Sequence, residues 1–291
     1  MNNEKLNGGD SRQYLSLEEL QSANMELLEE FDALCKDNSL RYDLCGGSLL
    51  GAIRHRGFIP WDDDIDVSMP RPDYERLLAL FAAGSLTILS GRRVVSDRDR
   101  SFARHFARYV RLDICRDSDY SNDDDCPFIG IDVFPHDGVP SDSSACRRLV
   151  ARISFLRKAL LISLSRPGMS SRGRLVALGK DVVRPLLKII GSFTLARRLD
   201  IVCQTVPYDS AEFVGGISGM YGMKERWEKK EMLPQTLVSF CGKKFTTYEN
   251  YDIYLKNIYG EYMSLPPIEQ RVPHGDKAYW VSPENPSGES R

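Results

Sequence analysis

The sequence predicts an α+β protein, and three observations support this class. A capped amphipathic helix begins near the N-terminus, and short alternating segments typical of strands follow at 64–67, 107–115 and 128–134. A long stretch from 146 to 206 has helical rather than strand periodicity. Because strands and helices do not alternate regularly along the chain, a regular βαβ arrangement is not indicated.

Length and composition place few limits on function. A chain of 291 residues holds one or two domains, and its net charge of −2 indicates no class of partner. Seven cysteines without a C-x-x-C pair favour reduced thiols in a cytoplasmic protein over a zinc finger or a disulfide framework. Residues 1–16 lack the basic and apolar regions of a signal peptide and are predicted to be a disordered tail.

The first helix is predicted from Ser16 to about Asn38. Ser16 followed by Glu19 forms the pattern of a capping box, which satisfies free N–H groups at a helix start. Leu28, Phe31 and Leu34 fall on one apolar stripe, so this helix is expected to pack against a sheet.

A glycine-rich turn follows a short strand at 41–45. Gly46-Gly47-Ser48 precedes a short helical pattern at 49–55, with Ser48 as the expected N-cap. Glycines between a strand and a helix allow backbone N–H groups to approach an anion, so this turn is a candidate phosphate site. Arg54 and His55 supply cationic groups at the far end of the helix.

Four acids then occur within five residues. Asp64 and Asp66 share one face of the predicted strand, and Asp62 has the same parity. Carboxylates at this spacing repel one another, and a hard cation such as Mg²⁺ would relieve the repulsion. A solvated acidic loop is the simplest alternative, but apolar residues flank the acids. An EF-hand does not fit, because Val67 and Asp73 stand where Gly and Glu are required.

The stretch 146–200 is strongly basic, with thirteen Lys or Arg residues against two acids. Apolar residues recur at helical spacing within it, which is typical of helices that bind an anionic membrane surface. An ordinary helical subdomain with a solvated basic face remains equally open. Nucleic acid is not expected as a partner, because few aromatic residues lie between the basic ones.

The remaining chain is predicted to complete a cleft. The glycine-rich segment at 213–222 is expected to line it, and a helix is predicted at 249–259, ended by Gly260. The predicted division of the chain is a tail at 1–16, a catalytic core at 17–145, a basic helical segment at 146–206, a cleft-completing part at 207–275 and a disordered tail at 276–291.

The motif GGSLLGAIRHRGFIPWDDDIDV, with GIDVFPHDGVP at 130–140 and YLKNIYGEYMSLPP at 254–267, resembles the signature of the LicD family. This family includes bacterial phosphorylcholine transferases and is related to the fukutin-related proteins. The resemblance implies a nucleotidyltransferase-type mixed sheet with flanking helices, into which the basic helical subdomain is inserted. A third carboxylate then comes from a later strand, and the pattern assigns it to Asp132, with Asp113 as the rival.

The resemblance also implies a reaction. Mg²⁺, or alternatively Mn²⁺, would be held by the catalytic acids Asp64, Asp66 and Asp132, with Asp62 as a further ligand. A CDP-alcohol, expected to be CDP-choline, would donate its phospho-alcohol to a glycan or glycolipid and release CMP. The expected substrate-binding residues are Gly46, Gly47, Ser48, Arg54, His55 and Asp137. Asp132 or Asp66 is the expected general base.

Three further functional alternatives stay open. The same site would accept CDP-ribitol or CDP-glycerol, and a nucleotidyltransferase on this fold would use an NTP. A non-enzymatic membrane-associated binding protein is the third. The expected location is the cytoplasm, peripheral on the inner face of the membrane.

Overall fold

A mixed eight-stranded sheet forms the centre of the protein. The structure is a computed structural model that describes residues 12–117, 122, 124–168, 174–272 and 277–281. In chain order its strands, including a separate two-stranded hairpin, are β1 (Asp43–Leu44), β2 (Ile65–Pro70), β3 (Arg92–Val95), β4 (Ala107–Asp117), β5 (Phe128–Val139), β6 (Phe213–Gly215), β7 (Trp227–Glu228), β8 (Gln235–Phe240), β9 (Lys243–Tyr248) and β10 (Lys277–Trp280).

The main path of the sheet runs β1-β2-β5-β4-β10. β2 and β5 are parallel, whereas the other pairs in the sheet are antiparallel. β3 pairs with β4, β6 extends the sheet from the end of β5, and β8 and β9 form the separate hairpin. The predicted α+β class with a mixed sheet and flanking helices is therefore confirmed.

Eight α-helices surround these strands in the described part of the chain. They are α1 (Leu17–Asp37), α2 (Gly46–His55), α3 (Arg71–Ala82), α4 (Ser143–Leu164), α5 (Arg174–Ile190), α6 (Ser192–Cys203), α7 (Lys229–Met232) and α8 (Tyr251–Tyr259). The predicted capping box at the start of α1 is present, with the Ser16 and Glu19 side chains each bonded to the other's backbone. Leu27, Leu28 and Phe31 of α1 are fully buried in the core with the sheet.

The start of α2 differs from the prediction. The helix begins at Gly46, so both glycines lie in its first turn and Ser48 is not its N-cap. The Ser48 hydroxyl is buried and instead accepts a hydrogen bond from the Asp66 N–H at 2.8 Å. This bond to β2 satisfies the serine, which is why it does not cap its own helix.

The predicted disordered tails are corrected at their inner ends. Lys277–Trp280 forms the edge strand β10, which pairs with β4, and Tyr14 bridges to Tyr279. The rings of these two tyrosines meet edge to face with centroids 5.9 Å apart. Residues 1–11 and 282–291 lie outside the described part of the chain.

The three helices α4, α5 and α6 form a unit with its own apolar core. Ile153 and Leu160 of α4 pack with Leu195 and Leu199 of α6. Asp142 begins the unit by capping α4, its carboxylate accepting from the Ala145 N–H. Within the described residues, none of the helices combines the length and apolarity needed to cross a bilayer.

Candidate active site

Two parallel strands bring the predicted acids together. Asp66 of β2 lies opposite Asp132 of β5 in the strand register. Asp64 precedes β2 by one residue and has the same parity as Asp66. The main-chain geometry thus places the three carboxylate-bearing residues Asp64, Asp66 and Asp132 at one place on the sheet.

The N-terminus of α2 lies directly against these acids. A Cβ placed on Gly47 would come within 2.9 Å of Asp62 Oδ2, and one placed on Gly46 within 3.2 Å of Asp66 Oδ2. Because both residues are glycines and have no Cβ, the Asp62 and Asp66 carboxylates can lie close to the helix backbone. Because the first-turn N–H groups and the dipole make a helix start electropositive, the same helix end suits carboxylates and phosphates.

Hydrogen bonds from α1 hold the acidic segment in place. The Gln21 amide donates to the Asp62 carbonyl at 2.8 Å, and the buried Asn24 amide donates to the Asp63 carbonyl at 2.7 Å. On the other side, the Gly46 N–H donates to the Tyr254 hydroxyl oxygen at 3.1 Å. The site is therefore fixed by α1 and α8, whose polar contacts could not be anticipated from the acidic motif.

Burial and the neighbouring acids both act on the pKa of Asp66. Burial raises the pKa of Asp66 well above its ordinary value, and Asp64, Asp132 and Asp62 raise that pKa further. Arg108 opposes this effect on the Asp66 pKa. Three neighbouring acids therefore disfavour the ionised form of Asp66, and Arg108 favours it.

Arg108 is a site residue that sequence reasoning missed. It lies on β4 opposite Asp132 in the register, and its Nε and Nη2 donate to the two Asp132 carboxylate oxygens at 2.5 and 3.2 Å. The alternating pattern at 107–115 predicted a strand that contains Arg108, but only the β4–β5 register identifies Asp132 as its partner. Asp113, the rival third acid, bonds to Arg111 instead, which holds the pKa of Asp113 below its ordinary value.

The donor set fits a divalent cation. Asp62, Asp63 and Asp64 can each offer one oxygen, and these atoms lie within 4.8 Å of one another. This grouping shares Asp64 and the optional ligand Asp62 with the predicted set. Asp63, the third member of this grouping, is only 3% exposed and has the opposite parity to Asp62 and Asp64. All the donors are carboxylate oxygens, which suit Mg²⁺ or Mn²⁺.

Arg54 and His55 lie at the other end of α2 and bond to the closing segment of the chain. Arg54 Nη1 donates to the carbonyls of Tyr262 and Ser264 at 2.8 and 3.2 Å, and its Nε donates to His55 Nε2 at 2.9 Å. Burial and the Arg54 charge lower the pKa of His55. Arg54 therefore holds the YMSLPP segment, and His55 bonds to Arg54.

Asp137 does not occupy the predicted substrate-contact position. It is 1% exposed, and both of its carboxylate oxygens accept from Arg71, at 2.6 and 2.8 Å. Arg71 also donates to the buried Asp200 at 2.9 Å. Asp137 therefore joins β5, α3 and α6 in a buried ion-pair network, a role that its place in the FPHDG motif did not indicate.

The glycine-rich segment surrounds a buried acid, Glu225, that sequence reasoning also missed. A Cβ on Gly216 or Gly219 would lie 2.5 or 2.7 Å from a Glu225 carboxylate oxygen. Burial raises the pKa of Glu225 to about 8, although the Tyr221 backbone and Arg157 act in the opposite direction. Glu225 and Asp66 both raise the pKa values of Cys45 and Tyr221, so the two acids lie near the same side chains.

Comparisons with known proteins agree with this geometry. Residues 39–137, which contain the whole acidic cluster, match the family model described as LicD/FKTN/FKRP, nucleotidyltransferase domain. Over 275 residues the chain is 29% identical to a Haemophilus influenzae protein named lipopolysaccharide cholinephosphotransferase LicD, covering 89% of this chain and 96% of that protein. Shorter matches, 36% over 59 residues and 40% over 48 residues, link it to uncharacterised proteins of Rickettsia typhi and Rickettsia prowazekii.

Residues 39–137 therefore match a family model described as a nucleotidyltransferase domain. More particularly, the match is to the LicD family, so the resemblance found in the motifs is confirmed.

Proposed function

We propose that the protein is an Mg²⁺-dependent phosphotransferase that moves phosphocholine from CDP-choline onto a hydroxyl of a cell-surface glycan or its lipid-linked precursor. The observation that carries the proposal is the carboxylate cluster of Asp62, Asp64, Asp66 and Asp132 set against the glycine-rich start of α2. The relative from Haemophilus influenzae, named for choline phosphate transfer to lipopolysaccharide, supports the same class of donor and acceptor.

The reaction requires one bond to form and one to break. The acceptor oxygen attacks the phosphorus that carries choline, the bond from that phosphorus to the CMP oxygen breaks, and CMP leaves. A cation held by Asp64, Asp66 and Asp132, with Asp62, would offset the charge of the donor phosphates. Mn²⁺ would serve the same purpose.

The chain's own residues then bind the donor and accept the proton. The expected phosphate-binding residues Gly46, Gly47 and Ser48 form the first turn of α2; because the Gly46 N–H donates to Tyr254, the N–H groups of Gly47 and Ser48 would bind the phosphates. The acceptor proton passes to a carboxylate. Asp66 is better suited than Asp132, since both oxygens of Asp132 already accept from Arg108.

Glu225 favours a cationic alcohol over ribitol or glycerol. Its carboxylate is 8% exposed, and even with Arg157 acting on it the pKa is raised to about 8, so the ionised form needs more positive charge. The half-buried Tyr221 and Tyr259 rings meet edge to face with centroids 5.6 Å apart, and the Tyr221 backbone bonds to Glu225. Aromatic rings attract quaternary ammonium groups, so a choline near these rings would also be near the carboxylate.

A nucleotidyltransferase that uses an NTP is the second candidate, because the matching family model is described as a nucleotidyltransferase domain. The two reactions release different products. Phosphocholine transfer releases CMP, and nucleotide transfer releases pyrophosphate.

We infer that the reaction takes place in the cytoplasm, at the inner face of the membrane, where a lipid-linked acceptor would be reached without crossing the bilayer. The basic helical unit formed by α4, α5 and α6 supports this location.

The test is a product assay on the full chain with Mg²⁺ and a glycan or glycolipid acceptor. CDP-choline, CDP-ribitol, CDP-glycerol and CTP are compared as donors, and CMP and pyrophosphate are quantified by chromatography. We expect CMP from CDP-choline, lost with EDTA and in Asp64→Asn. Asp209→Asn is the matched control, since Asp209 is exposed and far from the motif in sequence. Pyrophosphate from CTP without CMP from any CDP-alcohol would refute the proposal.

A further inference from the structure

Helix α5 presents an apolar face to solvent. Ile189 is 83% exposed, Val182 71%, Leu186 65% and Leu178 64%. Among the α5 residues whose burial is described, 176–190, the large apolar side chains exposed are Val176, Leu178, Val182, Val183, Leu186, Ile189 and Ile190. An exposed helix face ordinarily carries polar and charged residues, so this arrangement is the reverse of the usual one.

The exposed apolar residues form one continuous face. At about 100° per residue they cover roughly half of the helix circumference. The opposite side carries the buried Ala177 and Arg184. Lys180 lies beside one edge of the apolar half and Lys188 lies on the opposite side near Ala177, so no charged residue between 176 and 190 lies within the apolar half. Contiguous apolar patches of this kind mark surfaces that bind another molecule or a membrane.

The helical unit that carries this face is rich in positive charge. The stretch 146–200 holds thirteen basic residues and only two acids. Both acids are already paired, Asp181 with Arg184, and Asp200 with Arg71, Arg98 and Arg197. The exposed basic side chains of the helical unit include Arg148, Arg152, Lys158, Lys188 and Arg198. The uncompensated charge of the unit is therefore positive.

We propose that the occupant of the α5 face is an anionic phospholipid bilayer, with α5 lying flat in the interface. The apolar half would enter the boundary of the acyl chains, while the basic residues would bind lipid phosphates. A second copy of the chain is a poorer occupant, because a two-fold contact through this face would bring two positive units together. The proposal depends on the exposed face and not on the chemistry at the acidic cluster.

The experiment is vesicle co-sedimentation of the full-length protein, without CDP-choline. Vesicles of phosphatidylglycerol and phosphatidylcholine are compared with vesicles of phosphatidylcholine alone. We expect binding to the anionic vesicles that weakens as salt is raised from about 0.1 to about 0.5 M, since screening shortens the reach of the basic residues. In Leu186→Gln/Ile189→Gln the partition coefficient should fall about tenfold or more.

Leu89→Gln/Leu237→Gln is the matched control, because Leu89 and Leu237 are 59% and 58% exposed but lie outside the helical unit. The control should bind vesicles as the wild type does. Circular dichroism and CMP release with a soluble acceptor should be unchanged in both variants, which separates docking from folding and from chemistry. No binding of the wild type to anionic vesicles at low salt, or equal binding by the α5 variant, would overturn the proposal. So would a wild-type dimer in sedimentation velocity that the α5 variant converts to monomer.

Discussion

Replacing Gly47 by Ala separates the geometry of the acidic cluster from the stability of the fold. Gly47 is the second residue of α2, and Gly→Ala in a helix ordinarily stabilises by about 0.5–1 kcal/mol. Here the added Cβ would lie 2.9 Å from Asp62 Oδ2, and the only other heavy atom near it is Asp62 Cγ at 3.9 Å. Only the Asp62 carboxylate must move, so α2 can keep most of the stability gained from replacing glycine by alanine.

The expected cost therefore falls on cation binding. A carboxylate displaced by a few tenths of an ångström loses its place among the other ligands. Altering the groups that orient a metal ligand typically reduces affinity about 10–100-fold, or roughly 1.4–2.7 kcal/mol. Gly46→Ala should be worse in both respects, because its φ of +53° costs about 1–2 kcal/mol for an L-residue and its Cβ would lie 3.2 Å from Asp66 Oδ2.

Two measurements distinguish these effects. Urea unfolding in EDTA gives the free energy of unfolding, and an Mg²⁺ titration of CMP release gives the concentration for half-maximal activity. Gly179→Ala in α5 is the control, since nothing lies within 4 Å of a Cβ there. Gly47→Ala and Gly179→Ala should both be as stable as the wild type or more so. Of these two, only Gly47→Ala should need a higher Mg²⁺ concentration for half-maximal activity. An unchanged Mg²⁺ requirement in Gly47→Ala would refute the assignment of Asp62 and α2 to the cation site.

Three other predictions follow from single side chains. Because the pKa of Asp66 is raised, the folded state keeps a proton that the unfolded chain releases above about pH 4, so the free energy of unfolding of the metal-free protein should fall as the pH rises from there. Asp66→Asn should flatten this dependence of stability on pH in EDTA, and an equally steep dependence in the variant would contradict the prediction. Arg71→Met leaves the buried Asp137 carboxylate without its arginine and removes one of the three arginines paired with Asp200, so it should cost about 3–5 kcal/mol in urea unfolding; a loss under about 1 kcal/mol would show the network to be dispensable. Glu225→Gln should lower kcat/KM for CDP-choline about 5- to 30-fold, from roughly 1–2 kcal/mol of lost ammonium binding, while CDP-glycerol should be unaffected; equal losses for both donors would contradict the choline role.

Local patterns predicted the elements that local interactions determine. The capping box at Ser16 and Glu19 set the start of α1, and the alternation of acids and apolar residues identified β2. In both cases the groups that fix the structure lie within a few residues of one another. The same locality made the glycine-rich turn recognisable as a part of the site.

The predictions failed where a residue distant in sequence determines the role of a side chain. Ser48 would cap α2 if its neighbours alone mattered, but the Asp66 N–H takes its hydroxyl. Asp137 was predicted to bind substrate, but Arg71 from α3 binds its carboxylate in the interior. Arg108 became identifiable only from the register that sets it opposite Asp132. These pairings depend on tertiary contacts, which a single sequence does not display.

The helical unit is joined to the site by buried charges as well as by chain connectivity. Arg157 of α4 donates to the Ser218 carbonyl of the glycine-rich segment at 3.4 Å and lowers the pKa of Glu225. Asp200 of α6 accepts from Arg71, which also binds Asp137 at the end of β5. Breaking either contact would leave a buried charge uncompensated, so the unit and the cleft wall are expected to move together. If α5 rests on a bilayer, these contacts hold the cleft at a defined position relative to the surface, which is what transfer to a lipid-linked acceptor requires.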